Sequence, residues 1–172
     1  SSDAAFMLKL INNYCKLQLT NSQLEEYAVR IGADCPFFIN CVPAYAEGIG
    51  EQLTPISSLA EKLSQYYIII VKPLVSISTK GAFGMITPQK PAMNCKDIID
   101  KPIKEWKELL FNDFEAPIFN MNPELKDIKE QLYLNGAEYA AMSGSGSTIF
   151  GLFAQEPTLS QLKLDVESTI HS

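Results

Sequence analysis

Apolar residues recur at three- and four-residue intervals at the start of the chain. Ala4, Met7, Leu8, Ile11, Tyr14 and Cys15 fall on one face of a helix, and the spacing predicts that this face is buried. Ser1 and Ser2 stand at its N-terminus, where backbone N–H groups have no intrahelical partner. Ser22 and Glu25 form an S-x-x-E capping box for a second helix with Leu24, Tyr27, Ala28 and Ile31 as its apolar stripe. Gly32 then supplies a stop.

The pattern changes from Ala44 to Leu53. AYAEGIGEQL predicts a strand and a turn carrying Glu47, Gly48 and Gly50. A loose stretch at Pro55–Ser58 places a domain boundary between 57 and 58. Beyond it SLAEKL predicts a helix and YYIIIV a buried strand, with alternation continuing through Val75 and Ile77 to Thr79 and a short helix over Gly81–Met85. Residues 87–103, interrupted by Pro88, Pro91 and Pro102, predict a surface loop with one helical turn. Trp106, Leu109 and Leu110 mark a helix. Leu125, Ile128 and Leu132 mark another, started by Asn122-Pro123 and stopped by Gly136. Two strand-like runs, Ala137–Met142 and Thr148–Ala154, flank Ser143-Gly144-Ser145-Gly146-Ser147. Leu159, Leu162, Val166 and Ile170 predict a final helix. The second part therefore reads β-α-α-α-β-β-α, an α+β layering of helices on one sheet.

Composition narrows the function. At 172 residues the chain makes one large domain or two small ones, and 47% hydrophobic against 20% charged residues is a globular mixture. The densest apolar run, Tyr66–Val71, is far short of the ~18 residues of a spanning helix. A net charge of −6 argues against nucleic acid or an anionic membrane as partner. Arg30 is the sole arginine, so this chain offers no arginine clamp for a phosphate. Cys15, Cys35, Cys41 and Cys95 form no CxxC pair and His171 is the only histidine, too few ligands at the wrong spacings for structural zinc. These features predict a reduced, cytosolic protein without a metal centre of its own. The chain opens on SSDAA without an initiator Met or a signal segment, and reads as part of a longer polypeptide.

Three places could carry chemistry. In the 143–147 turn, two glycines let backbone approach a ligand and successive N–H groups can form an anion nest; a hairpin turn between two strands is the alternative. It is neither a Walker A loop nor a GxGxxG fingerprint. Asp34, held between Ala33 and Pro36-Phe37-Phe38, is predicted to be a partly desolvated carboxylate able to accept a proton; an Asp capping a helix ahead of Pro36 is the alternative. Ser1 and Ser2 put a helix N-terminus at the chain start, which favours phosphate but describes any capped helix. Phe83 could stack on a flat ligand or belong to the core, and Thr79 could be only an N-cap. The alternating Lys and Glu residues between 96 and 108 read as a solvated face.

The order of these segments is more specific than any one of them. SSDAA opening a helix, GADCPFF, then AYAEGIGE, a strand ending in VSIST, and MSGSGSTIFGLF resemble the GHMP kinase superfamily along essentially the whole chain. The GADCPFF and AYAEGIGE pair is similar to the branch that phosphorylates a cytidine-diphosphate-linked sugar alcohol in non-mevalonate isoprenoid synthesis; homoserine and mevalonate kinases share the first and last motifs. The resemblance implies a two-domain α+β architecture: residues 1–57 as the remainder of a ribosomal-protein-S5-domain-2-like, ATP-binding domain, and 58–172 as a ferredoxin-like domain lacking its last strand. It implies ATP and Mg2+ as cofactors and a small-molecule acceptor with a cytidine diphosphate moiety, and it leaves room for a homodimer. A bacterial cytoplasm or a plastid is the implied location.

By the same resemblance, Asp34 is the catalytic base for the acceptor's 2-hydroxyl. Ser1 and Ser2 end the phosphate loop. Gly144, Ser145 and Gly146 form the third phosphate-binding motif, and Thr79 and Phe83 contact the cytosine. The family's lysine has no counterpart in Lys9, Lys16 or Lys62 and is assigned to a preceding segment. The rival is a non-catalytic, kinase-like binding module, and Asp34 with its intact neighbours favours the kinase. Unpaired sheet edges, and with them self-association, are expected of the chain by itself.

Overall fold

A computed structural model describes residues 1–87, 91–158 and 167–171. In the first of two compact units, Ser1–Glu61, helices α1 (Ser2–Tyr14), α2 (Asn21–Val29) and α3 (Phe37–Asn40) precede an antiparallel hairpin of β1 (Ala44–Glu47) and β2 (Gln52–Pro55). The capping box of α2 is not the predicted one. Thr20 Oγ1 accepts from the Gln23 N–H at 3.3 Å, and Gln23 Oε1 accepts from the Thr20 N–H at 2.9 Å. Glu25 is taken up elsewhere: its carboxylate accepts from Asn40 Nδ2, and Asn40 Oδ1 accepts from Asn21 Nδ2 at 2.6 Å, lacing α2 to the end of α3. Lys9 Nζ donates to Ile39 O at 3.0 Å, satisfying a carbonyl in the last turn of α3.

The core of this unit is Ala5, Leu24, Ala28, Cys35 and Ile39. The stripe predicted on α1 is corrected. Ala5 is the enclosed residue, Ala4 and Leu8 are half-buried, and Met7, Ile11 and Tyr14 are 54, 45 and 86% exposed. α2 and α3 reach α1 along the side of Ala5, and no described residue covers the rest of the stripe. On α2, Leu24 and Ala28 are buried as expected, whereas Tyr27 and, past the helix end, Ile31 are exposed.

The division between units falls inside α4 (Ser57–Leu63). The second unit, Lys62–Ser172, contains β3 (Tyr67–Lys72), α5 (Thr79–Phe83), α6 (Cys95–Ile99), α7 (Trp106–Leu109), α8 (Glu115–Met121), α9 (Pro123–Leu134), β4 (Tyr139–Met142), β5 (Ile149–Phe153) and β6 (Glu167–His171). Helix α8 escapes the periodicity reading because Pro117 looks like a breaker; in the first turn it costs no hydrogen bond.

The four strands pair antiparallel in the order β4-β5-β3-β6. The first strand in sequence is central and the fourth lies at its outer side, the ferredoxin-like order. Two expectations are thereby corrected. Residues 167–171 are strand rather than helix, and the sheet has its terminal strand. The β-branched Thr169 and Ile170 suit a strand, and the edge of β3 offers a full ladder from Ile68 to Lys72. Leu159, Leu162 and Val166 of the predicted final helix lie outside the described residues.

Alternation sets the layers. Ile69 and Val71 of β3, Ala140 and Met142 of β4, and Ile149 and Phe153 of β5 meet Ile118 of α8 and Leu125, Ile128 and Leu132 of α9 in one core. Tyr139 points to the opposite face, where its ring meets Trp106 and Phe150 edge-on at centroid distances of 5.6 and 6.0 Å. No helix among the described residues is long and apolar enough to cross a membrane.

Candidate functional site

The 143–147 turn joins β4 to β5. The Ser143 N–H donates to Thr148 O at 2.8 Å and the Gly146 N–H to Ser143 O at 3.0 Å. Gly144 (φ 54°) and Gly146 (φ 89°) take left-handed conformations that L side chains disfavour. A Cβ on Gly146 would stand 2.7 Å from Met142 Sδ and 2.9 Å from Ile77 Cδ1, whereas Gly144 faces open space. Among the described residues, the N–H groups of Gly144 and Ser145 have no protein acceptor. Two successive free N–H groups with an open approach are what an anion nest requires.

Side chains from three other segments hold this turn. Asn112 Nδ2 donates to Met142 O at 2.7 Å and Gly144 O at 2.8 Å. Ser147 is buried, donating from Oγ to Val75 O at 2.5 Å and accepting from Lys72 Nζ at 3.1 Å. Ser145 Oγ and Thr79 Oγ1 lie 3.2 Å apart in a hydrogen bond. Periodicity missed Asn112 and Lys72. The available signal was Asn112 itself, a turn-forming residue ahead of a helix, whose Oδ1 accepts from the Phe114 N–H at 2.9 Å.

Thr79 is not an N-cap. Ser78 caps α5, its Oγ accepting from the Gly81 N–H at 3.2 Å, which leaves the Thr79 hydroxyl for Ser145. Phe83 lies one helical turn further along the same side of α5, 61% exposed. Its ring meets Phe114 edge-on at 4.9 Å, and at that exposure it is no core residue. Thr79, Phe83 and the Gly/Ser turn are thus brought together in the second unit.

Asp34 lies in the first unit, in the turn between α2 and α3, and both sequence readings of its surroundings are corrected. The residue is exposed rather than desolvated, and Pro36 occupies the N-cap position of α3, with no side-chain cap. A Cβ on Gly50 would stand 3.8 Å from Asp34 Oδ1, so the carboxylate adjoins the AYAEGIGE turn. Within that turn Gly48 (φ 72°) and Gly50 (φ 109°) reverse the chain. The backbone N–H groups of Glu51 itself and of Ile49, the latter at 2.7 Å, hold the Glu51 carboxyl below the ordinary carboxylate range. Ser1 precedes α1 without a side-chain capping bond, its carbonyl accepting from the Ala5 N–H at 3.1 Å; Asp3 already places a negative charge in the first turn of α1. No group of three or more His, Cys, Asp or Glu side chains gathers among the described residues. An ion bound by one or two carboxylates, waters and a ligand's phosphates, the usual manner of Mg2+, needs no such group.

Residues 96–171 match the family model for the C-terminal domain of GHMP kinases. The chain is 48% identical over 168 residues to 4-diphosphocytidyl-2-C-methyl-D-erythritol kinase of Bacteroides fragilis, a match covering 98% of this chain and 60% of that protein. It is 50% identical over 159 residues to the protein of the same name from Bacteroides thetaiotaomicron, covering 92% and 57%. The chain thus spans less than two thirds of the length of these relatives. Among solved structures, a crystal structure of 4-(cytidine 5'-diphospho)-2C-methyl-D-erythritol kinase superposes with a TM-score of 0.70 at 27% identity, over 87% of this chain and 54% of that one. Homoserine kinase from Cytophaga hutchinsonii superposes with a TM-score of 0.56 at 14% identity over 94% and 60%, a likeness of fold.

Proposed function

Given that this chain belongs to the GHMP kinase family, we propose that it is the C-terminal portion of an ATP-dependent kinase. The acceptor is the 2-hydroxyl of 4-diphosphocytidyl-2-C-methyl-D-erythritol, in non-mevalonate isoprenoid synthesis, and the complete activity resides in a polypeptide of the relatives' full length. The observation that carries this reading is the Ser145–Thr79 hydrogen bond. It ties a turn with two free N–H groups to the helix that presents Phe83 to solvent. An anion cradle beside an aromatic platform suits the phosphates of ATP held next to an acceptor that carries a flat base.

Phosphoryl transfer depends on positioning and charge neutralisation more than on covalent help from the protein. ATP, when bound with Mg2+, supplies the γ-phosphoryl group. The N–H groups of Gly144 and Ser145 hold phosphate oxygen, and the glycine at 146 lets the turn close over Met142 and Ile77. Ser1 and Ser2 bring the N-terminus of α1 to phosphate, where Asp3 competes for the same end. Thr79 orients the cytosine-bearing end and Phe83 stacks on the base. Asp34 takes the proton of the attacking 2-hydroxyl. Its exposure suits this role, since the carboxylate is open to contact by the acceptor's hydroxyl.

The test is turnover by the full-length polypeptide on diphosphocytidyl methylerythritol, with homoserine and mevalonate as rivals. Asp34→Asn is expected to lose about 10²- to 10⁴-fold in kcat, the usual contribution of a general base. Turnover on a rival alone discards the substrate assignment, and full activity in the folded variant discards the base.

A further inference from the structure

We propose that Asn112 is a positioning residue that aims the Ser145 N–H at the phosphate, with Glu115 holding the end of β4 beside it, a role that rests on the reading of the 143–147 turn as a phosphate-binding element. Strand β4 is an edge of its sheet, so the outward N–H and C=O groups of Ala140 and Met142 need partners from outside the ladder. Side chains supply all of them. Tyr133 Oη donates to Ala140 O at 3.2 Å and accepts from its N–H at 3.1 Å. Glu115 Oε1 accepts from the Met142 N–H at 2.8 Å, and Asn112 donates to Met142 O.

The Asn112 amide then goes one step beyond the strand, to Gly144 O. Both its N–H donors are used and its oxygen takes the Phe114 N–H, so the amide has one satisfied orientation. A trans peptide holds C=O and the following N–H on opposite sides. Pinning Gly144 O toward Asn112 therefore turns the Ser145 N–H away from it, and that N–H is one of the two without a protein acceptor among the described residues. Glu115 is held in turn by Lys129, whose Nζ lies 2.5 Å from Oε2. Two side chains three residues apart thus fix both the end of β4 and the direction of the donor beyond it.

Asn112 and Glu115 also line a solvent-open cleft of about 840 Å³. Water can therefore enter to replace a deleted amide, which makes Asn112→Ala the milder change and Asn112→Asp the sharper one. The aspartate sets a carboxylate against two carbonyl oxygens; once protonated it regains a single O–H donor. The carbonyls and partial burial push its pKa up.

The experiment uses the full-length polypeptide. Asn112→Asp at pH 8 is expected to raise KM for ATP about tenfold or more, leave KM for the alcohol acceptor within about twofold, and recover in part as pH falls toward about 5.5. Asn112→Ala is expected to raise KM for ATP without that recovery. An unchanged KM for ATP in Asn112→Asp overturns the proposal. So does a parallel rise in both KM values with a lowered melting temperature and no recovery, the result of general loosening. Gly146→Ala separates the underlying reading: if it leaves KM for ATP unchanged, the turn is no phosphate site. If it raises KM while Asn112→Asp does not, the positioning role alone fails.

Discussion

Replacing Glu115 by alanine is the most informative change to the fold itself. The side chain is 11% exposed and answers two needs, the buried Met142 N–H at 2.8 Å and Lys129 Nζ at 2.5 Å. Orphaning a buried N–H costs about 1–3 kcal/mol. Leaving an ion without its partner in a fully buried site would cost about 3–5 kcal/mol. The Lys129 side chain is 21% exposed and can turn toward water, so its share falls to about 1 kcal/mol. The expected loss for Glu115→Ala is therefore about 2–4 kcal/mol. Glu115→Gln keeps an amide oxygen for Met142 and gives up the charge, for about 1 kcal/mol. Urea unfolding at pH 7, followed by far-UV circular dichroism at constant m-value, measures both. The reasoning is refuted if the alanine variant stays within about 0.5 kcal/mol of the parent, or if glutamine costs as much as alanine.

Two further outcomes follow from the same geometry. Burial, reinforced by the Glu115 charge, holds the Tyr139 phenol well above its usual range, and burial also raises Tyr133 and Tyr66, the latter bonded to Glu138 at 2.9 Å. The folded state keeps these protons where the unfolded chain has lost them, so their stabilisation is whole below about pH 10 and is lost as pH rises beyond it. Absorbance at 295 nm should show part of the seven tyrosines titrating late, together with unfolding; a single step near 10 in a still-folded protein contradicts this. Phe83→Ala, at a residue 61% exposed whose ring meets Phe114 edge-on, should cost about 1 kcal/mol or less in stability and raise KM for the cytidyl acceptor about 5- to 100-fold. A loss above about 3 kcal/mol with unchanged KM makes it a core residue instead.

Local signals in this chain were legible where one short segment carried the whole cause. Pro123 and Gly136 mark the two ends of α9 as expected, because proline and glycine act on their own φ angles. The run YYIIIV became β3, and Gly48 and Gly50 became a reversal, for the same reason. The reading failed where a distant partner decided. S-x-x-E and T-x-x-Q are both legitimate boxes two residues apart, and Asn40, from beyond the next turn, claimed Glu25 and left the cap to Thr20. Val166–Ile170 has helical spacing, yet residues 167–171 pair with β3, a strand nearly a hundred positions earlier.

The candidate site divides in the same way. Gly144, Ser145, Gly146, Thr79 and Phe83 were identifiable as residue types, since left-handed turns need glycine and stacking needs a ring. Sequence by itself therefore determined which residue types suit the proposed chemistry and most of the strands and helices that carry them. Tertiary structure decided their surroundings: Thr79 freed from capping by Ser78, Asp34 exposed rather than desolvated, Met7, Ile11 and Tyr14 uncovered on α1, and Gly144 O held by Asn112. Exposure and hydrogen-bond direction depend on which segments arrive from afar, and local pattern holds no record of that.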